Sequence, residues 1–287
     1  MLLEQEPAGA PAPGSVMARA DGENFSVASR LLPRRQRAHL LAIYGFARLV
    51  DELGDSLEGD RLAALAWLEG ELELAFAGAA RHPLMVTLQG TIEACGLSRG
   101  PFLRLIEANR MDQRVSRYET WEQLRLYCTL SADPVGELVL EVFGAATPEH
   151  VALSDRICTG LQLAEHCQDV SEDLAAGRVY LPLEDLERFG CSVEDLRAAH
   201  AGPALRGVIA FEVARARSLL GEGQPLSREL RGRARLGVAG FIAGGAAALS
   251  GIERAGYDVL PGPPPVSRAL ALRTLASMLL GASWRPR

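Results

Sequence analysis

From Pro33 onward, apolar residues recur at the three-and-four spacing of an α-helix in segment after segment, while strand alternation and Asn-Gly hairpin signals are missing. That pattern restricts the chain to packed helices, an all-α fold. It predicts helices over residues 34–53, 61–78, 83–95, 99–112, 120–143, 148–175, 203–220, 228–256 and 265–282. Start signals agree: Pro33 at a first turn, Asp60 before Arg61, Ser98 before Arg99, Thr120 before Trp121 and Thr147 before Pro148. Gly96, Gly144 and Gly177 each close a run. Pro134 removes a backbone donor inside one long segment and predicts a kink near Ser131, Ala132 and Asp133, the kind of break that lines a cavity. Residues 1–22 are rich in Pro, Ala and Gly without periodicity and are expected to lack fixed structure. Residues 23–287 show no repeat and no linker, so a single bundle-like domain is expected.

Composition removes several function classes. All thirty cationic residues among Lys and Arg are Arg, which excludes a P-loop lysine and Schiff-base lysine chemistry. A net charge of -6 offers no footprint for nucleic acid. The five cysteines contain no C-x-x-C and follow no signal peptide, so they read as reduced core thiols in a cytoplasmic setting. Leu236 to Ile252 carries no charge but is dominated by Gly and Ala and is closely bracketed by charged residues, which fits a core helix better than a membrane span. Peripheral membrane contact stays compatible with the chain. Arg228, Arg231, Arg233 and Arg235 read as a solvated helix start that would also suit an anionic membrane surface.

Chemistry concentrates in two matched rows of acids. Asp51 and Asp55 stand four apart and project from one helical face; Asp169 and Asp173 repeat the spacing, with Glu165 one turn earlier. Like charges at this spacing repel, so such rows cost stability unless a cation lies among them. Hard Mg²⁺ prefers carboxylate oxygens and completes its shell with water and phosphate. Two facing rows would hold a cluster of such ions and polarise a diphosphate leaving group. A single D-x-x-x-D is more often a solvated face; two matched rows weaken that reading. Tyr44 and Arg48 share the face of Asp51 and Asp55. His166 beside Cys167 has no second ligand at metal spacing and is expected to pack on the back of its helix; the other histidines are scattered. Trp67, Trp121, Phe76 and Phe102 are expected in the core.

In order and spacing, three blocks resemble the squalene and phytoene synthase family of class I all-α prenyltransferases. They are Tyr44 to Asp55, the Tyr-Cys-Thr-Leu-Ser-Ala-Asp-Pro-Val-Gly-Glu run from Tyr127, and Leu161 to Asp173 followed by Gly177-Arg178-Val179-Tyr180-Leu181-Pro182. The resemblance runs from about Asn24 to Leu260. Glu23 to Ser29 and the Gln168-Asp169-Val170 form of the second motif make the chain most similar to the bacterial hopanoid-pathway branch. The resemblance implies a class I isoprenoid synthase bundle with a deep apolar cavity whose mouth carries both acidic rows. It implies that Asp51, Asp55, Asp169 and Asp173 hold Mg²⁺ and the diphosphate, with Glu165 standing where many relatives carry a metal-binding Asn. Arg48 would pair with phosphate oxygens, a task suited to guanidinium geometry. Tyr44, Tyr127 and Gln162 would line the reaction cavity, Arg178 and Tyr180 would close its mouth, and Asn24 would contact substrate.

Glu52 replaces a common Asp and keeps a carboxylate, whereas Gln168 replaces an Arg and removes one phosphate partner. Asp21 to Asn24 stands where condensing members have a Ser-rich diphosphate-binding segment. The last two differences point away from binding two prenyl diphosphates at once. The expected reaction is therefore Mg²⁺-assisted conversion of presqualene diphosphate to hydroxysqualene, alongside other enzymes of the same pathway. One alternative is condensation of two farnesyl or geranylgeranyl diphosphates into squalene, dehydrosqualene or phytoene. Another is an inactive member acting as an assembly factor, against which the presence of all four aspartates counts.

Overall fold

The computed structural model describes residues 6–18 and 33–280. Among the described residues it is helical, with one isolated bridge between Arg117 and Val179 and no strand. The chain forms two compact units, Met1–Arg114 with Pro134–Val151 and Val115–Asp133 with Ala152–Arg287.

The first unit contains α1 (Pro13–Ala18), α2 (Arg34–Asp51), a π-turn (Glu52–Ser56), α3 (Arg61–Phe76), α4 (Pro83–Cys95) and α5 (Gly100–Asp112). Most of α7 (Asp133–Val142) also belongs to it. The starts expected at Pro33, Asp60, Thr120 and Thr147 are used, whereas α5 begins at Gly100 and Ser98, expected as its cap, donates to Glu141 instead. Asp60 accepts from the Ala63 amide at 3.0 Å, and Gly96 ends α4 in the left-handed region. The core forms where α2 and α3 each pack on α4 and α5, with Leu49, Leu53, Leu65, Leu68, Leu72, Met85 and Leu88 sealed from solvent. Each such side chain contributes about 1.5–3 kcal/mol by leaving water. Phe102 meets Phe46 edge-on at 5.0 Å and Phe76 at 6.1 Å. The expectation that residues 1–22 lack fixed structure is corrected in part, because α1 packs on α2 and buries Val16 completely. An apolar residue offered to an apolar groove outweighs weak local propensity.

The second unit contains α6 (Trp121–Ser131), nearly all of α8 (Pro148–Gln168), α9 (Val170–Ala175), α10 (Leu183–Arg188) and a 3₁₀ turn (Val193–Arg197). It continues with α11 (Pro203–Gly223), α12 (Leu226–Glu229), α13 (Gly232–Arg254) and α14 (Arg268–Leu279). The break expected before Pro134 falls between Ser131 and Asp133. Two expected single helices are divided instead: residues 148–175 at Asp169, and 228–256 at Leu230 and Arg231. The helix α13 is long and apolar enough to cross a membrane by length and composition, yet 67% of its most apolar window is buried within the protein. Its glycines explain that packing: a Cβ on Gly245 would meet Leu161 at 2.6 Å and Leu220 at 3.1 Å, so α8, α11 and α13 approach through small residues. Of the five free cysteines, Cys128, Cys167 and Cys191 are buried and Cys95 and Cys158 half-buried.

Candidate active site

In the first unit, Tyr44, Arg48 and Asp51 follow one another along α2, and the chain then widens into the π-turn that carries Asp55. The Leu57 amide reaches back five residues to the Glu52 carbonyl at 3.0 Å, the bond that defines the wider turn. Asn109 of α5 and Gln113, the cap at its C-terminal end, support it. Gln113 Nε2 donates to the Gly54 carbonyl at 2.9 Å and to the Asn109 carbonyl at 3.0 Å. Asn109 Nδ2 donates to Asp51 Oδ1 at 3.4 Å. A Cβ on Gly54 would lie 2.1 Å from Asn109 Oδ1, so only glycine lets the turn sit this close to α5. Arg48 pairs with Glu52 at 3.4 Å.

Asp51 is exposed at the end of α2. Desolvation by nearby protein atoms pushes its pKa up to about 7; the Asn109 bond opposes the rise, Asp55 adds to it, Arg48 opposes it and Asp112 adds again. The carboxylates of Asp51, Asp55 and Asp112 thus lie within electrostatic reach of one another, with Arg48 beside them.

In the second unit, Glu165 and Asp173 flank Asp169, which stands between α8 and α9. Backbone bonds keep the register across that break: the Asp169 amide donates to the Glu165 carbonyl at 2.9 Å and the Asp173 amide to the Asp169 carbonyl at 2.8 Å. The acids therefore remain one turn apart. Glu165 is exposed, and Asp169 and Asp173 are half-buried. Burial first, and then Glu172, raises the Asp169 pKa. The half-buried Arg178 follows Gly177 and returns its amide to the Asp173 carbonyl at 2.8 Å.

Beside this row lies an aromatic cluster. Tyr180 stacks on Tyr127 at 5.5 Å and on Tyr118 at 5.9 Å, and Tyr118 meets Tyr127 at 5.4 Å. Tyr180, expected at a mouth, is buried within the cluster. The reason is local pairing: the Val179 amide donates to Ser116 at 2.8 Å and the Leu183 amide to Tyr118 at 2.9 Å, which brings residues 179–183 beside 116–118. The α6 end is fixed by Asp133, whose carboxylate accepts from Arg125 and Thr159 at 2.8 and 2.9 Å. Gln162, one turn beyond Thr159 on α8, lies 3.3 Å from the His166 ring through its Nε2.

His166 is buried in ordinary packing, as expected, though the partner its ring stacks on, Tyr180 at 4.0 Å and 13°, is not one the sequence points to. Burial lowers its pKa to about 3, so the ring is neutral. Tyr118, Asn109 and Gln113 were also missed; no spacing links them to the acidic motifs. Asn24, expected to bind substrate, lies outside the described residues.

Among the described residues no three His, Cys, Asp or Glu side chains form a ready-made metal cage. The donors nevertheless suit Mg²⁺. Each row offers hard oxygen ligands, Asp55 and Asp112 bring negative charge toward Asp51, and Mg²⁺ keeps water and phosphate oxygens in its shell.

Comparison with known proteins places these features. The squalene/phytoene synthase family model matches residues 18–270. A hydroxysqualene synthase of Rhodopseudomonas palustris is 39% identical over 213 residues, 73% of this chain and 72% of that protein. A presqualene diphosphate synthase of the same organism is 34% identical over 209 residues, 72% and 75% of the respective chains. The crystal structure of squalene synthase HpnC from Alicyclobacillus acidocaldarius superposes with a TM-score of 0.80 at 48% identity, covering 85% of this chain and 94% of that one. The helical fold and both acidic motifs lie within the matched span, and the chain belongs to the squalene/phytoene synthase family of enzymes.

Proposed function

We propose that this enzyme converts presqualene diphosphate and water to hydroxysqualene and diphosphate. One observation carries the reading: the acidic row Glu165, Asp169 and Asp173 continues, along α8, into Gln162 and His166 at the edge of the Tyr118, Tyr127 and Tyr180 cluster. A charged end suited to a leaving group thus adjoins an aromatic wall with a polar edge. The likeness to a hydroxysqualene synthase supports the same choice.

Asp51, Asp55, Asp169 and Asp173, with Glu165, would hold Mg²⁺. When bound, the metal supplies Lewis-acid stabilisation of the departing diphosphate. The carbon–oxygen bond breaks with both electrons going to the diphosphate, and the cyclopropylcarbinyl cation rearranges. The electron-rich tyrosine faces favour positive charge beside them, by about 1–2 kcal/mol once water is excluded. Water then adds through its oxygen and loses a proton, leaving the alcohol. Arg48 suits the phosphate oxygens because guanidinium presents paired donors. A cytoplasmic site of action and peripheral membrane contact remain part of this proposal.

The test is incubation of purified protein and Mg²⁺ with presqualene diphosphate, or with farnesyl diphosphate and NADPH, followed by product identification. Hydroxysqualene from the first is expected. Squalene from the second at comparable rate would establish the condensing alternative, and no turnover of either would establish an inactive member.

A further inference from the structure

The outward face of α14 carries an arrangement that packing within the chain does not explain. Thr274 and Met278 are buried on the side of α13, the helix against which α14 lies, whereas Leu272 is 62% exposed, Leu279 37% and Leu280 87%. A polar residue is thus inside while three leucines face out, which a helix serving only its own core would avoid. At about 100° per residue, Ala269, Leu272, Ala276, Leu279 and Leu280 form one stripe, and the exposed Arg268 and Arg273 border it on either side. From Leu272 onward this stripe lies outside the family-matched span, residues 18–270.

Charge at this end of the chain is one-sided too. Residues 259–287 contain four Arg and no Asp or Glu, in a chain whose net charge is -6. Both α13 and α14 begin with arginine, at Arg233 and Arg268, and carry no acid in the first turn. The helix dipole disfavours cations at that end, so the helices themselves gain nothing from this charge. Arg235 Nη2 donates to the Leu279 carbonyl at 2.9 Å, which sets the start of α13 beside the end of α14. The exposed Arg231, at the N-cap of α13, therefore stands at the same end of the helix pair as Leu280.

We propose that the outward face of α14 docks this protein on a bilayer rich in anionic lipid, with Leu272, Leu279 and Leu280 in the acyl boundary and Arg231, Arg268 and Arg273 against headgroup phosphates. It rests on the peripheral membrane contact proposed above and gives that contact a location. The twelve residues of α14 span about 18 Å, short of the hydrocarbon thickness of about 30 Å, so the helix lies along the interface and does not cross it. Leucines leave water there while arginine stems extend toward phosphate. A second copy of the chain is a poorer occupant, because a two-fold contact would bring together two faces that carry arginine and no acid.

The test is co-sedimentation of the full-length protein with vesicles of phosphatidylcholine, or of equal parts phosphatidylcholine and phosphatidylglycerol, at low and high salt. Binding to the mixed vesicles is expected to be at least about tenfold tighter than to phosphatidylcholine and to weaken as salt rises. Leu272→Ser and Leu280→Ser should each weaken it about tenfold, and Arg268→Gln and Arg273→Gln about fivefold each. All four should keep wild-type circular dichroism and turnover of detergent-dispersed presqualene diphosphate. Should a variant unfold, hydrogen exchange of the wild-type protein decides: mixed vesicles must slow exchange in residues 268–280, and unchanged exchange there overturns the proposal. Absence of vesicle binding overturns both the peripheral contact and its location, whereas binding that the leucine and arginine variants leave unchanged overturns the location alone. A wild-type dimer in light scattering that Leu272→Ser abolishes would assign the face to a second copy and overturn the proposal as well.

Discussion

The first acidic row sits where α2 widens into a π-turn, whereas the second sits where α8 gives way to α9 at Asp169 itself. Both come from aspartates four apart, yet their surroundings differ. The first is supported by Asn109 of α5 and by Gln113 at its C-terminal cap, and desolvation by nearby protein atoms raises the Asp51 pKa to about 7. The second keeps its register across a helix break through backbone bonds, with Glu165 exposed and Asp173 4.0 Å from the His166 ring. Equal spacing thus produces one row braced by side chains from the end of α5 and another whose register is carried by the backbone.

The largest effect should come from removing that tertiary support. Gly54→Ala places a methyl 2.1 Å from Asn109 Oδ1, so the turn must move away from α5. Mg²⁺-dependent turnover should fall about a hundredfold, the upper range for loss of outer-shell support. Near-normal turnover would show that the first row does not depend on the π-turn.

Asn109→Ala should cost about tenfold or more through the same kind of loss. It also carries a pH signature. Because the Asn109 bond favours ionised Asp51, its removal should shift the acidic limb of Mg²⁺ activation to higher pH. In the metal-free protein the stability sign is fixed as well. Between the ordinary value of 3.8 and the folded value of about 7, folded Asp51 keeps a proton that the unfolded chain has lost. Its contribution to stability therefore falls as pH rises through that window, and Asp51→Asn should flatten the fall in Tm there.

A smaller change is expected at Glu165. Glu165→Asn keeps an oxygen ligand and should remain active while needing several-fold more Mg²⁺ for half-maximal rate; Glu165→Leu should fail even at high Mg²⁺. An unchanged Mg²⁺ dependence in both would assign Glu165 to the solvated surface. Smallest of all is Gly177→Ala. Gly177 has a φ of 80° with open space around it, so alanine should cost about 1–2 kcal/mol of stability while leaving turnover intact.

Much of this was legible in the chain. Pro33, Asp60, Thr120, Gly96 and Gly144 mark helix ends as expected, because caps and left-handed glycines are local. The breaks at Asp169 and the π-turn were not legible, since both preserve the four-residue spacing that periodicity detects. The six-residue α10 is too short to announce itself, and α1 depends on burial of Val16 against another helix. The acids could be read from their matched rows. Asn109, Gln113 and Tyr118 could not, because only folding brings them to the motifs. The stacking partner of His166 was hidden for a related reason: Tyr180 comes fourteen residues later in the chain, and no spacing links the two.

The central claim is that both rows serve one metal-dependent loss of diphosphate. Its most direct test is release of diphosphate from presqualene diphosphate across a Mg²⁺ titration in wild type, Asp51→Ala and Asp169→Ala, with helical content checked by circular dichroism. The account expects release in wild type that requires Mg²⁺, and none in either folded variant at any Mg²⁺ concentration. Near-normal release from either variant, or full release by wild type without divalent metal, would contradict it.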